Sequence, residues 1–209
     1  MSADDKIERK DFKGAIMDCN AALKINPKSD LLFYYRSMAK AGLQDYSGAK
    51  KDIYKAIKLK PHADYYYQEG ILDFYSNKYR KAWVDFSKAT AIDSNYVMAY
   101  CYRSLIYSRY LHDYKKAIRD LDIALHIEKN DERIYLHRGE IKALLSEYKE
   151  ALSDFDEAIC INPDYAEAYY DRALIKASLS RRNDACSDME VAKQLGEMKA
   201  SNWIEKNCK

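Results

Sequence analysis

The chain has 209 residues, with 35 basic and 33 acidic side chains that leave a net charge of +2, and it lacks any run of eighteen apolar residues. These values exclude a membrane-spanning helix and a surface that is strongly basic overall, as nucleic-acid binding would need. Only 6 glycines and 3 prolines are present, so there is little material for long loops, and one continuous array of helices is favoured.

An amphipathic helix recurs six times along this chain. In residues 147–164, EYKEALSDFDEAICINPD, apolar and small residues fall at spacings of three and four and line one helix face. The aromatic position recurs with steps of 34, 33, 35, 34 and 34 residues, and two alanine columns keep the same register. A period in this range predicts a solenoid in which each unit stacks on its neighbours. The aromatic column is Phe12, Tyr46, Tyr79, Tyr114 and Tyr148, ending in Arg182, and the alanine columns are Ala15, Ala49, Ala82, Ala117, Ala151, Ala185 and Ala22, Ala56, Ala89, Ala124, Ala158, Ala192.

The predicted elements form one continuous domain. In chain order they are a partial N-terminal repeat at 1–29, full repeats at 30–62, 63–96, 97–131, 132–165 and 166–196, and a capping helix at 197–209. The third repeat has one extra residue, which we place in its turn near residues 111–113. Gly196 is expected to end the last second helix in a left-handed conformation. Ala200, Trp203 and Ile204 then have the spacing to cover the apolar end of the array.

These features resemble the tetratricopeptide repeat family over nearly the whole chain. That family has a 34-residue helix-turn-helix unit with an early aromatic residue, a small residue one turn later and a closing proline. The resemblance implies an all-α fold, a right-handed α-solenoid with a C-terminal capping helix. The ending DACSDMEVAKQLGEMKASNWIEKNC also resembles bacterial tetratricopeptide proteins common in Bacteroidota. The matching residues are Phe33, Tyr66, Tyr100, Tyr135 and Tyr169, then Ser37, Gly70, Ser104, Gly139 and Ala173, then Pro27, Pro61 and Pro163, whereas Ser94, Lys129 and Glu197 replace the proline elsewhere.

The family resemblance also implies a non-enzymatic scaffold for protein–protein interaction, whose first helices line a concave groove. The mapped groove is apolar and rich in tyrosine, which favours a partner peptide or helix with apolar anchors. A clamp for acidic C-terminal peptides is disfavoured, because Tyr34 and Met38 stand where that clamp has Lys and Asn. Leu31, Met98 and Glu167 are also mapped to the groove. The predicted partner-binding residues are Tyr34, Met38, Tyr67, Ile71, Phe74, Cys101, Leu105, Arg133, Leu136, Glu140, Tyr170 and Leu174.

Two other functions remain open from the sequence. An apolar concave or terminal surface could pack on a second copy and make a homo-oligomer. Single-stranded RNA binding is a minor alternative, because tyrosine rings stack on bases, but Arg133 is the only base among the mapped groove positions. The identity of a protein partner is not readable, since a repeat scaffold changes its ligand through a few groove residues.

Charged residues also recur in register, which favours a structural role. We expect each arginine to lie between second helices and to pair with an aspartate. Glu69 breaks the arginine series, so either a neighbouring base reaches it or its pKa is raised. The two columns are Asp18, Asp52, Asp85, Asp120, Asp154, Asp188 and Arg36, Arg103, Arg138, Arg172.

No residue pattern indicates catalysis, a cofactor or a metal site. The four histidines stand at different register positions, and the chain has no zinc-protease, nucleophile-elbow, P-loop or dinucleotide motif. Five cysteines without a C-x-x-C pattern favour the reducing cytoplasm. Cys186 and Cys208, however, flank Gly196 at ten and twelve residues and would face each other in an antiparallel helix pair. Their disulfide would indicate a periplasmic or secreted protein whose signal peptide has been removed.

Overall fold

The structure is a computed structural model that describes residues 3–208, so residues 1, 2 and 209 at the ends of the first and last predicted segments lie outside the described residues. Within the described range the chain forms thirteen α-helices and one π-helical segment, with no β-strand, which confirms the all-α prediction. No helix there is long and apolar enough to cross a membrane. The helices are α1 (Ala3–Glu8), α2 (Phe12–Ile25), α3 (Asp30–Gly42), α4 (Tyr46–Leu59), α5 (Ala63–Tyr75), α6 (Tyr79–Ile92), α7 (Val97–Ile106), α8 (Tyr114–Ile127), α9 (Glu132–Leu144), α10 (Tyr148–Ile161), α11 (Ala166–Ser178), α12 (Arg182–Gln194) and α13 (Met198–Asn207).

Two compact units divide the chain at residues 103 and 104, inside α7. In the first unit, consecutive helices from α1 to α6 pack on each other, most closely in the pairs α3 with α4 and α5 with α6. In the second unit the closest pairs are α9 with α10 and α11 with α12, and α13 packs on α12. Both units are therefore built from helix-turn-helix repeats. The repeat ranges given above remain predictions.

Short turns with a left-handed residue join the first helix of each repeat to the second. These residues are not glycine, although that conformation is costly for side chains with a Cβ. An aspartate then begins several second helices, as when Asp45 Oδ1 accepts a hydrogen bond from the Gly48 amide at 2.8 Å. After α12, Gly196 has φ of 99°, which confirms its predicted role. The left-handed residues are Lys10, Gln44, Asn77, His112, Ser146 and Ser180.

The extra residue of the third repeat is absorbed by the π-helical segment Tyr107–Leu111. The Asp113 amide donates to the Tyr107 carbonyl at 2.9 Å, and His112 between them is left-handed. The sequence placed the insertion in the turn, a few residues later. A π-helical segment takes up one residue by widening the helix, so α8 still starts at its expected tyrosine.

The core of each repeat is built on the alanine columns. The first column is fully buried from Ala15 to Ala185, and the second is fully buried from Ala56 onward. Small side chains here let helices approach closely. At Gly139 in α9, an added Cβ would lie 2.7 Å from Cε1 of Phe155 in α10, which explains why no side chain stands there.

The C-terminal helix α13 covers the apolar end of the second unit, as predicted. Ala200 is fully buried against Met189 and the α12 alanines, and Trp203 and Ile204 pack on the same cluster. Cys186 in α12 is bonded to Cys208, which directly follows α13, so of the two alternatives that the sequence left open the structure has the disulfide. The Arg182 guanidinium also donates to the Asn207 carbonyl. Covalent and polar contacts thus hold the cap in place.

Candidate functional site

The first helices carry the residues that the sequence assigned to a binding groove. In the first unit, Leu31 at the start of α3 is 46% exposed and Met98 at the start of α7 is 41% exposed. The other assigned residues of this unit are half-buried, so their side chains are shared between the core and the surface. They are Tyr34, Met38, Tyr67, Ile71, Phe74 and Cys101.

Tyrosine rings of the first unit pack mainly on one another. The Tyr34 ring lies 4.9 Å from that of Tyr65, and the Tyr67 ring lies 5.1 Å from that of Tyr96 and 5.8 Å from that of Phe86, between ring centroids. Burial is the main cause that raises the pKa of Tyr34 to about 12 and the pKa of Tyr67 further. These rings therefore stabilise the repeats as well as lining the predicted groove.

In the second unit the assigned residues differ in accessibility. Leu136 is 6% exposed and belongs to a core cluster with Phe155, so it is not available to a partner and the sequence assignment is corrected here. The Arg133 guanidinium is exposed but donates to Asp131 at 3.0 and 2.6 Å. Leu105, Glu140, Tyr170 and Leu174 are half-buried.

Glu140 and Leu174 line a cavity of about 350 Å³ in the second unit. Its wall also includes His137 from α9, Asp171 from α11 and the exposed Arg109 from the π-helical segment. The sequence analysis did not assign these three residues to the groove. The sequence contained one indication of this acidic site. Glu167 and Asp171 stand four residues apart on one helix, a spacing that brings like charges together.

An unusual protonation equilibrium marks Asp171. Burial, followed by the negative charges of Glu140 and Glu167, raises the pKa of Asp171 to about 7, while Lys199 acts in the opposite direction and Glu197 adds to the rise. Since this folded-state pKa lies above the unfolded value of about 3.9, the folded protein binds more protons. Its free energy of unfolding should fall as pH rises from about 4 to about 7.

Asp171→Asn should remove this pH dependence. We expect the variant to raise the free energy of unfolding by about 2 kcal/mol at pH 8, roughly half of what the full pKa shift would give, because solvent still reaches the carboxyl. At pH 4 both proteins carry a neutral group and should be equally stable. Urea denaturation at the two pH values measures the difference, with Glu157→Gln on the exposed part of α10 as the control. An equal increase in the free energy of unfolding at pH 4 and pH 8 would contradict the raised pKa of Asp171 as the cause.

Three of the four recurring arginines form a structural series with aspartate, as expected, and Arg103 donates to the hydroxyls of Ser87 and Thr90 at 3.3 and 3.0 Å. Arg138 donates from Nε and Nη2 to Asp154 at 3.0 and 2.6 Å, and from Nη1 to Asp122 of α8 at 2.7 Å. Lys142 also donates to Asp154 at 2.8 Å, and the guanidinium lies over the Tyr135 ring at 5.5 Å from its centroid. Arg36 pairs with Asp52 and Arg172 pairs with Asp188 in the same way, each with its own lysine. We call these three groups the Arg–Asp series.

The second repeat departs from the Arg–Asp series. Glu69 stands where the other full repeats carry arginine, Asp73 stands where three of them carry lysine, and Asp85 is paired with Lys88 at 3.2 Å. Lys50 pairs with Asp73. Burial, and then the charge of Asp85, raise the pKa of Glu69, which bears out the second of the two sequence alternatives.

Metal binding receives no support from the described part of the chain. No group of three or more His, Cys, Asp or Glu side chains there has the geometry to hold a metal ion. His137 Nδ1 instead lies 3.1 Å from Glu140 Oε2, and His62 lies 3.2 Å from Asp64.

Several solved structures share this architecture. No protein-family model and no curated protein matches the chain. PilF of Pseudomonas aeruginosa superposes with a TM-score of 0.84 at 16% identity, covering 98% of this chain and 94% of that one. YrrB, described as a TPR protein with an unusual peptide-binding site, gives 0.76 at 20% identity, with 90% and 97% covered. The C-terminal part of a TPR protein from Cytophaga hutchinsonii gives 0.78 at 18% identity, with 92% and 77% covered. The chain therefore has the fold of a tetratricopeptide repeat protein.

Proposed function

We propose that the protein is a non-enzymatic scaffold that binds an extended or helical segment of a partner protein along its first helices. The observation that carries this proposal is the exposure of Leu31 and Met98, two large apolar side chains at mapped groove positions of the first unit. Exposed apolar residues that share a surface are typical of sites of protein interaction. The similarity of fold to YrrB, whose description names a peptide-binding site, is consistent with this role.

Substitution of these two residues tests the proposal. Alanine at Tyr67 is unsuited, because its ring packs on Phe86 and Tyr96 and the variant would lose stability. We expect Leu31→Ala with Met98→Ala to weaken binding of peptides selected on the wild-type protein by about tenfold. Fluorescence anisotropy with labelled peptides measures the affinity.

The matched control uses exposed apolar residues of second helices. Met17 in α2 is 70% exposed and Tyr54 in α4 is 62% exposed. Met17→Ala with Tyr54→Ala should leave the affinity unchanged. If the control pair weakens binding and the groove pair does not, the second helices are the binding surface and the proposal is wrong.

Self-association is the second candidate function. Ile25 at the end of α2 is 87% exposed and shares that helix with the exposed Met17, so the first unit offers an apolar surface to another copy. RNA binding is less favoured, because the guanidinium of Arg133 is already paired with Asp131.

The disulfide bears on the compartment. Disulfides persist in the periplasm and outside the cell and are rare in the cytoplasm. The Cys186–Cys208 bond therefore favours an oxidising compartment over the cytoplasmic location that the cysteine count alone suggested.

A further inference from the structure

The cavity of the second unit combines apolar walls with a concentration of hydrogen-bond acceptors. Leu144 and Leu174 contribute apolar surface, and Glu140 and Asp171 contribute carboxyl groups. Its volume of about 350 Å³ is at the lower end of the range of about 300–1,000 Å³ for pockets that hold small organic groups. The cavity therefore has room for one side chain of a partner, with an apolar part and a polar end.

The His137 imidazole lies beside one of the carboxyl groups. The Nδ1 atom of His137 faces Glu140 at 3.1 Å, and an N–H at this position would donate to the carboxylate. In that tautomer Nε2 carries a lone pair. Nε2 is buried, and no described residue forms a hydrogen bond with it. Because Nε2 has no accessible surface, a ligand in the cavity does not reach it, and the His137 ring acts through Nδ1, which lies beside the Glu140 carboxylate.

The charges around the cavity favour a cation. Glu140 lines it and Glu167 acts on the same carboxyl of Asp171, while Lys199 only partly offsets them. The positive side chain in the wall, Arg109, is exposed to solvent. A metal ion does not fit, since no described group of carboxylates and histidines has metal-binding geometry.

We propose that this cavity binds the cationic side chain of a lysine or arginine from the partner segment. The ammonium or guanidinium group would donate to Glu140 and Asp171, and its methylene stem would lie against Leu144 and Leu174. That the side chain belongs to the partner segment rests on the proposed function. That the cavity binds a cationic side chain does not depend on it.

Small probes test the cavity directly. N-acetyl-lysine methylamide and N-acetyl-arginine methylamide carry the two cationic side chains, and N-acetyl-norleucine methylamide has the same stem without the charge. We expect the two cationic probes to shift the imidazole signals of His137 and the carboxyl signal of Asp171 in NMR titrations at pH 8. The norleucine probe should bind at least about tenfold more weakly, since a hydrogen bond to a charged group accounts for such a factor.

Glu140→Gln should weaken binding of the lysine probe by about tenfold, and Glu157→Gln should not change it. The Glu140 side chain is 41% exposed, so its substitution leaves the fold intact, and circular dichroism verifies this. Equal binding of the lysine and norleucine probes, or shifts confined to other residues, would overturn the inference. The peptide experiment on Leu31 and Met98 uses a different unit of the chain. If the cavity binds the lysine probe but Leu31→Ala with Met98→Ala leaves peptide affinity unchanged, the proposed function is wrong and the inference about the cavity still holds.

Discussion

Replacing Arg138 by methionine should lower the free energy of unfolding by about 3 kcal/mol. The side chain of Asp154 is 3% exposed and loses two of its three charge-assisted hydrogen bonds, so a buried carboxylate is left with Lys142 alone. Breaking a buried ion pair from one side costs roughly 3–5 kcal/mol, and the remaining lysine reduces that cost. Urea denaturation followed by circular dichroism measures the change.

Arg181→Met provides the matched control. Arg181 and Asp184 form an ion pair in which both side chains are 51% exposed, and such pairs contribute less than about 1 kcal/mol. The double variant Arg138→Met, Asp154→Leu should recover part of the lost stability, because it removes the unpaired charge. If Arg138→Met were no more destabilising than Arg181→Met, the Arg–Asp series would be a surface feature with little structural weight.

Removal of the disulfide should lower the free energy of unfolding by about 3 kcal/mol. The bond closes a loop across a sequence separation of 22 residues. Opening a loop of this size increases the conformational entropy of the unfolded chain and so stabilises the unfolded state by about 3 kcal/mol. Cys186→Ser, Cys208→Ser and the double variant should all show the same loss, since each removes the same bond. Guanidinium denaturation measures it, and hydrogen exchange should be fastest in α13.

Treatment with a reductant separates the effect of the disulfide on stability from the effect of replacing the cysteine side chains. Dithiothreitol should destabilise the wild-type protein by the same amount and should not affect the double variant. Cys160 is exposed and unbonded, so Cys160→Ser should behave as wild type. Alkylation of both Cys186 and Cys208 in protein prepared under oxidising conditions would contradict the disulfide and the compartment that it favours.

The fold was predictable because its signals repeat. The alanine columns that predicted buried helix faces are buried except at Ala22, and Gly196 and the cap residues Trp203 and Ile204 act as their spacing indicated. The extra residue of the third repeat lies in a π-helical segment and not in the predicted turn, because a count of residues shows that one has been added but not whether a turn or a helix takes it up.

The candidate site was less predictable, because its properties depend on how deeply each side chain is buried. Register alone assigned Leu136 to the groove, but the packing of Phe155 encloses it. His137 and Asp171 occupy a register position where the first three full repeats carry tyrosine or glutamine, so no recurring residue type marked them. The pKa of Asp171 depends on Glu140 from another helix, and a single sequence does not give that distance.

Glu69 makes the contacts that link consecutive second helices unequal within the first unit. Arg36 reaches both Asn20 in α2 and Asp52 in α4, so it couples two second helices through one side chain. At Glu69 an acidic group stands in place of the arginine between α4 and α6; burial raises its pKa, and Lys50 of α4 and Lys88 of α6 attract it. In an array whose stability is a sum of nearest-neighbour terms, the weakest interface determines where unfolding stops. Replacement of the arginine link by an acidic one therefore gives the α4–α6 interface a different nearest-neighbour term from that of the α2–α4 interface.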